Sequence, residues 1–193
     1  MRLGRPPLVA VAATTTALAL AGCTFELRNP GVTAACGTIE YEINRGRAGY
    51  VQVEAVHEAL IRYGQVTDRE VVFVGETEES AAHGGRGGDG PILVEFFWPD
   101  DAPLRLGFAE PAIVGERFVG GFIYVHPMLA QAAPDLVTRL VMHELGHLGG
   151  LADVDDPDEL MNPELVVDDW GDGDRWGLRL THHRCGDDIP DDG

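Results

Sequence analysis

The order of apolar and polar residues predicts short strands and two long helices. Residues Thr38 to Asn44 alternate with a period of two, which is typical of a strand with one buried face. Residues 49–63 carry apolar side chains at helical spacing, and Gly64 is predicted to end that helix. Further strands are predicted over residues 70–74, 92–98, 106–109 and 118–125. Because Pro111 follows the strand at 106–109, that strand is predicted to lie at an edge of the sheet.

A second, more apolar helix is predicted to begin at Pro134. Helices favour proline in the first turn, and an acid such as Asp135 near their positive end. The predicted core stripe of this helix is Leu136, Val137, Leu140, Val141, Leu145 and Leu148. Gly149 and Gly150 are predicted to end it, and a short helix follows at 175–182. A strand, a helix, several strands and a helix indicate an α/β or α+β fold in one domain, for which 193 residues suffice.

The charge of the chain excludes one class of partner. The sequence has 14 basic residues, all of them arginine, against 32 acidic residues, and its formal net charge is −18. A nucleic acid would be repelled by this field, so nucleic-acid binding is not expected.

The N-terminus has the features of an export signal. Arg2 and Arg5 precede an uncharged apolar stretch that is too short to span a bilayer comfortably. The sequence Leu20-Ala21-Gly22-Cys23 resembles the bacterial lipobox, which implies cleavage after residue 22 and a lipid on Cys23. The predicted organisation is therefore a lipoprotein signal peptide at 1–22, a lipidated N-terminus and tether at 23–35, and a folded domain at 36–193. The resemblance implies export and anchoring to the outer face of a bacterial membrane; the alternative is an ordinary cleaved signal.

Two further cysteines, Cys36 and Cys185, remain after Cys23 is set aside. Export would place them in an oxidising compartment, so they are expected to form a disulfide. Such a bridge would close a long loop and stabilise the domain by about 4–5 kcal/mol in the chain-entropy model.

The candidate chemistry lies in His143-Glu144-Leu145-Gly146-His147, on the helix that begins at Pro134. Residues four apart on a helix differ by about 40° in direction and about 6 Å in height, so both imidazoles can reach one metal ion. Glu144 can reach a water at the open metal position. A solvated polar helix face is the alternative, but the helix is strongly apolar and burying these side chains without a partner would be costly.

The downstream residues add a third candidate ligand. Gly150 allows the chain to leave the helix in a left-handed conformation, and it can then turn back to bring Asp153 to the metal. Asp155 and Asp156 are close alternatives to Asp153. Met161 follows in a predicted tight turn.

These residues resemble the zinc motif and Met-turn of the metzincin metalloproteases, and most closely those of small bacterial matrixin-like and snapalysin-like members. Most metzincins have a third histidine where this chain has Asp153, whereas snapalysin-like members have aspartate. The resemblance implies a single domain with a twisted, mostly parallel five-stranded sheet, an active-site helix and a C-terminal helix.

The resemblance also implies roles for the matched residues. His143, His147 and Asp153 would bind one catalytic Zn²⁺, Gly150 would form the bend, and Met161 would pack beneath the metal. Glu144 would act as general base towards a water at the open zinc position. The implied activity is zinc-dependent endopeptidase cleavage of protein or peptide substrates, which would lie along the edge strand near 106–109. A monomer is expected.

Alternatives from other classes stay open at this point. The chain could be a non-catalytic surface lipoprotein that binds a protein or a cell-wall partner. It could also be a zinc hydrolase of another clan, with Glu159 or Glu164 as third ligand, and a reduced Cys36 could be an inhibitory zinc ligand. Ten acidic residues between Asp153 and Asp174 could bind Ca²⁺, but no EF-hand spacing supports such a site and a solvated loop is expected. Surface or packing roles are expected for His57, His83, His126, His182 and His183.

Overall fold

The computed structural model describes residues 24–81, 90–97 and 105–182. The predicted signal peptide, Cys23, His83, His183 and Cys185 lie outside the described residues. The lipidation of Cys23 and the disulfide between Cys36 and Cys185 therefore stay predictions. Cys36 itself is exposed. None of the described helices combines the length and hydropathy that a bilayer span requires.

The described chain has two strands, a long helix, four more strands and then the remaining helices. The strands are β1 (Thr33–Ala34), β2 (Ile39–Asn44), β3 (Val71–Glu76), β4 (Ile92–Glu95), β5 (Gly107–Val114) and β6 (Arg117–Val125). The helices are α1 (Tyr50–Thr67), α2 (Pro134–Leu148) and α3 (Asp172–His182), and a short 3-10 helix spans Pro127–Gln131.

The described strands form one mostly parallel sheet, in the order β1-β6-β4-β2-β3, with β5 paired to β6. Only the β5–β6 pairing is antiparallel among the described strands. Because β5 has β6 as its one partner in the described sheet, it lies at an edge, as its proline predicted. The predicted fold class, a single α/β domain with a mostly parallel sheet, is confirmed. The described sheet has six strands where five were expected.

The additional strand comes from the segment that was predicted as a tether. Thr33 and Ala34 pair in parallel with the start of β6. Further upstream, the Arg28 backbone N–H donates to the Gly150 carbonyl, and the Ala152 N–H donates to the Glu26 carbonyl, both at 2.8 Å. Phe25 and Leu27 also pack against the core. Residues 24–34 are therefore attached along the domain beside the end of α2.

One apolar core joins the sheet to α1 and α2. The strands contribute fully buried residues such as Ile43 and Ile123, and the helices contribute Leu60 and Leu145. Burying each such side chain is worth about 1.5–3 kcal/mol, so the core holds α2 firmly against the sheet. The predicted stripe of α2 faces this core, with Leu136 only partly buried.

Some predicted boundaries were wrong. Helix α1 continues through Gly64 and ends at Thr67. Asp68 caps it, with a left-handed backbone and an N–H that donates to the Gly64 carbonyl. Glycine is needed at 64 for space, because a Cβ there would lie 2.8 Å from the Arg69 carbonyl oxygen. Strand β5 continues through Pro111 because its outer edge needs no hydrogen bond from that position.

Candidate metal centre

Helix α2 presents two histidines one turn apart. The His143 and His147 ring centroids are 4.8 Å apart and the rings are nearly perpendicular. Each Nδ1 lies 2.9 Å from a backbone carbonyl oxygen, that of Leu160 for His143 and that of Leu151 for His147. With Nδ1–H donating to these carbonyls, each Nε2 keeps its lone pair for a ligand.

A bend after α2 brings Asp153 to the histidines. Gly150 has φ +95, a left-handed conformation, and a Cβ there would lie 2.8 Å from the Phe118 ring. The Asp153 Oδ1 atom consequently lies 3.2 Å from His143 Nε2 and 3.3 Å from His147 Nε2.

These distances fit a tetrahedral zinc site. Ligand atoms about 2.0–2.1 Å from a tetrahedral zinc ion are about 3.3 Å from one another. One group of three metal-ligating side chains converges within the described part of the chain. The donor atoms of this group lie within 4.8 Å of one another and belong to His143, His147 and Asp153. The other acids considered as ligands do not join this group. Asp156 accepts from the Thr24 hydroxyl and the Asp158 N–H, and Glu159 accepts hydrogen bonds from α3.

The charges at the site depend on one another. Hydrogen bonds to His143 and His147 hold the pKa of Asp153 well below its usual value. Burial is the largest influence on the pKa of His143 and lowers it, but the hydrogen bond to Asp153, the neighbouring Glu144 and Asp153 charges and the Leu160 carbonyl together raise that pKa. Without a metal ion, the anionic aspartate therefore favours a proton on His143, where a bound cation would otherwise balance its charge.

Glu144 lies beside this group and is buried. Its Oε2 atom has no hydrogen-bond partner among the described residues. Burial raises the pKa of Glu144, although the two neighbouring histidines oppose the shift. A buried carboxylate oxygen with an open acceptor position fits a water or substrate proton at the site.

The methionine of the predicted tight turn packs under α2 between the two histidines. Met161 is almost fully buried, and its Sδ atom lies so close to Gly146 that a Cβ added there would displace it. The Val154 N–H donates to the Met161 carbonyl at 3.1 Å, which connects this turn to the Asp153 segment.

Two buried acids fix this turn to α3. Both belong to the segment that was expected to be a solvated loop. The Asp174 carboxylate accepts from the Leu160 N–H at 2.6 Å and the Gly171 N–H at 3.0 Å. In return, the Glu159 carboxylate accepts from the Gly173 and Asp174 N–H groups, both at 2.8 Å. Burial raises the pKa of both acids. The position of Asp174 in the first turn of a helix was the signal in the sequence that could have identified it.

A cleft of about 730 Å³ runs past the candidate metal ligands. Strand β5 lines it with Gly107, Phe108 and Ala109, and Leu106 lines it directly before the strand. Leu140 and Leu165 add apolar surface. Leu165 has φ +52, which is unusual for a branched side chain and is often found at functional sites.

No family model and no curated protein matches the chain. Among solved structures, archaemetzincin from Methanopyrus kandleri is similar with a TM-score of 0.54 and 14% identity, over 77% of this chain and 97% of that one. A zinc-dependent peptidase from Methanocorpusculum labreanum gives a TM-score of 0.46 and 14% identity, over 72% and 98% of the two chains. Metalloproteinase-II from Bacteroides fragilis gives 0.46 and 15%, over 83% of this chain and 57% of that one. The archaemetzincin match shows a shared fold.

Proposed function

We propose that the chain is a zinc-dependent endopeptidase, with His143, His147 and Asp153 as its zinc ligands. The observation that carries this proposal is the convergence of two Nε2 atoms and one Oδ1 atom at the spacing of a tetrahedral site, beside the buried carboxylate of Glu144. The shared fold with archaemetzincin supports it.

The protein residues have separate tasks in the proposed reaction. Zinc, when bound, supplies Lewis-acid chemistry that activates water and polarises a carbonyl. Glu144 takes the proton of the attacking water on Oε2 and passes it to the departing amine nitrogen. Leu160 and Leu151 orient the two imidazoles through their carbonyl oxygens.

The substrate would extend along β5 as an additional strand. The outer edge of β5 faces the cleft, and its backbone can pair with an extended peptide. Leu140 and Leu165 would contact an apolar side chain next to the scissile bond. This arrangement favours cleavage within a chain over removal of a single terminal residue.

Two finer points belong to the same proposal. The aspartate at position 153 favours a snapalysin-like member of the metzincins. The lipobox resemblance favours a lipid on Cys23 and a position on the outer face of a bacterial membrane. Thr24 packs against Gly173 at the start of α3, so such an anchor would hold the domain close to the lipid surface.

Turnover of casein or gelatin by the zinc-loaded protein tests the proposal, with Glu144→Gln as the decisive variant. Removing the general base should reduce kcat by about 10²–10⁴-fold while zinc binding persists. The exposed Glu164→Gln is the matched control and should retain wild-type turnover. A wild-type protein that binds zinc and cleaves neither substrate would favour a binding lipoprotein, and full activity in Glu144→Gln would exclude the assigned base.

A further inference from the structure

Two arginines lie in the cleft of a strongly acidic protein. Arg28 and Arg105 both line the cleft that contains His143 and Glu144. The whole sequence has 14 basic against 32 acidic residues, so two cations at one site oppose the charge of the molecule. Two acids, Glu144 and Asp153, line the same cleft, so its fixed charges balance where the molecule as a whole is strongly acidic.

Both arginines stand on backbone that is held in place. Arg28 lies on the N-terminal segment, where its own N–H bonds the Gly150 carbonyl at 2.8 Å. Arg105 directly precedes Leu106, whose carbonyl accepts from the His126 N–H at 2.8 Å at the start of β5. Arg105 therefore lines the cleft from the chain just before the edge strand, and Arg28 lines it from the segment bonded to the bend before Asp153.

Neither guanidinium is neutralised by the described part of the protein. Elsewhere arginines pair with acids: Arg62 with Glu58, Arg139 with Asp168, and Arg175 with Asp169. Among the described residues, Arg28 and Arg105 form no such salt bridge, and both are exposed. Arg28 is close enough to Glu144 to lower the pKa of that carboxyl by its charge.

We propose that Arg28 and Arg105 bind a carboxylate of the substrate, so that the cleft selects acidic peptides; this rests on the proposed peptidase function. A guanidinium binds a carboxylate through two parallel N–H donors, which gives direction as well as charge. The carboxylate is supplied either by an Asp or Glu side chain flanking the scissile bond or by the peptide C-terminus. Because Leu140 and Leu165 line the same cleft with apolar surface, the preferred substrate also has an apolar side chain near the carboxylate.

The test compares matched peptides on the zinc-loaded mature chain. Each peptide carries Glu or Gln on either side of an apolar cleavage position, and each is made with an amidated or a free C-terminus. The wild type should cleave at least one carboxylate-bearing peptide with a kcat/KM about tenfold above its neutral counterpart, mainly through KM. Preference for amidated Glu peptides identifies a side-chain carboxylate, and preference for free C-termini identifies the terminal one.

Variants then assign the preference to the two arginines. In Arg28→Gln and Arg105→Gln the ratio of carboxylate-bearing to neutral peptide should fall towards one, and Arg28→Lys should restore part of it. Arg179→Gln removes the same charge from the exposed face of α3, away from the cleft, and should keep the wild-type ratio. Equal cleavage of charged and neutral peptides by the wild type, or an equal loss in Arg179→Gln, would overturn the proposal.

Binding separates this proposal from the peptidase function. If no peptide is cleaved, the peptidase function fails, but fluorescence anisotropy of the same labelled peptides on zinc-loaded Glu144→Gln still reports on the arginines. Tighter binding of carboxylate-bearing peptides, lost in the Arg28→Gln background, would support the arginine site. Equal binding of all the peptides would refute it.

Discussion

Asp153 shows how one residue connects the charge of the site to its geometry. Its Oδ1 atom is within 3.3 Å of both histidine Nε2 atoms, and these contacts hold its pKa well below the usual value. A carboxylate with this environment is anionic over the whole neutral range. It could neutralise part of the charge of a zinc ion, and spacing alone left Asp155 and Asp156 as alternatives to it.

Replacing Asp153 with alanine should lower zinc affinity by about 100-fold or more, because one of three protein ligands is lost. Competition with a chromophoric chelator measures the change. Asp155→Ala is the matched control, since Asp155 stands two residues further along the same segment and lies outside the converging group. Zinc loss in Asp155→Ala with full retention in Asp153→Ala would reverse the assignment.

The histidine pair and Asp153 could be predicted as candidates because helix periodicity and a glycine bend are local properties of the sequence. The roles of Glu159 and Asp174 could not be predicted in the same way. Their partners are backbone N–H groups 14 and 15 residues away, and only the packing of α3 brings them together. Within the run of acids, only their position in the first turn of a helix distinguishes Asp172 and Asp174 from the other members, and it does not indicate burial.

Among the secondary-structure elements, the connection between the Met161 turn and α3 supports the floor of the site. Asp174 and Glu159 exchange hydrogen bonds with the backbone of each other's segment, and both are buried. Met161 is thereby held under Gly146, in the middle of the histidine motif. Displacement of this turn would remove the surface on which α2 rests, and the Leu160 carbonyl that orients His143 would move with it.

Asp174→Asn should lower the free energy of unfolding by about 1–3 kcal/mol, because an amide cannot accept all the hydrogen bonds of the carboxylate and leaves buried N–H groups unsatisfied. Urea denaturation of the zinc-free protein measures this loss. Asp172→Asn, at an exposed position in the same first turn of α3, should change stability by less than about 0.5 kcal/mol. Equal stability of Asp174→Asn and wild type would refute the structural role of this carboxylate.

The ends of elements were less predictable than their presence. Helix α1 is predicted by its apolar spacing, but Gly64 was wrongly expected to end it. The glycine instead leaves space for the close approach of Arg69 and Val71. Strand β1 has only two residues, too few for any alternation to be detected, and it exists because β6 offers it a partner.

For the whole molecule, pH should act on stability through the buried His182. Burial lowers its pKa to about 4, and its Nδ1 bonds the Leu178 carbonyl at 2.7 Å. The unfolded chain, with a histidine pKa of about 6.5, binds a proton that the folded chain excludes between pH 6.5 and 4. Stability should therefore fall as pH decreases through this window, by up to roughly 3 kcal/mol from this group.

Urea denaturation of the metal-free wild type and His182→Gln at pH 7 and pH 4.5 checks this expectation. The buried acids Glu159 and Asp174 have raised pKa values and act in the opposite direction, but they are common to both proteins. The loss of stability on acidification should be smaller in His182→Gln. The same pH dependence in both proteins would show that His182 is not responsible.

Anchoring is also a property of the whole molecule. If Cys23 carries a lipid, the full chain expressed in a bacterium should sediment with membranes and partition into detergent. Cys23→Ala should leave the membrane fraction or remain as an unprocessed precursor, whereas Cys36→Ala should stay membrane-bound. Equal partitioning of Cys23→Ala and wild type would exclude the lipid anchor.

The fold class was predictable because the period-two pattern of the strands and the apolar stripe of α2 are local features that the sequence alone shows. The attachment of residues 24–34 beside α2 was not, since it depends on backbone hydrogen bonds to Glu26 and Gly150 that need no particular side chain. This attachment brings Arg28 into the cleft, so the character of the site depends partly on a segment without a recognisable pattern.

Anomalous diffraction at the zinc edge, from crystals of the zinc-loaded protein, tests the central claim most directly. The account predicts one strong peak about 2.0–2.2 Å from His143 Nε2, His147 Nε2 and an Asp153 carboxylate oxygen, with Glu144 beside it and outside the ligand set. A zinc-loaded crystal with no peak at this position, or with the metal held by other side chains, would contradict it.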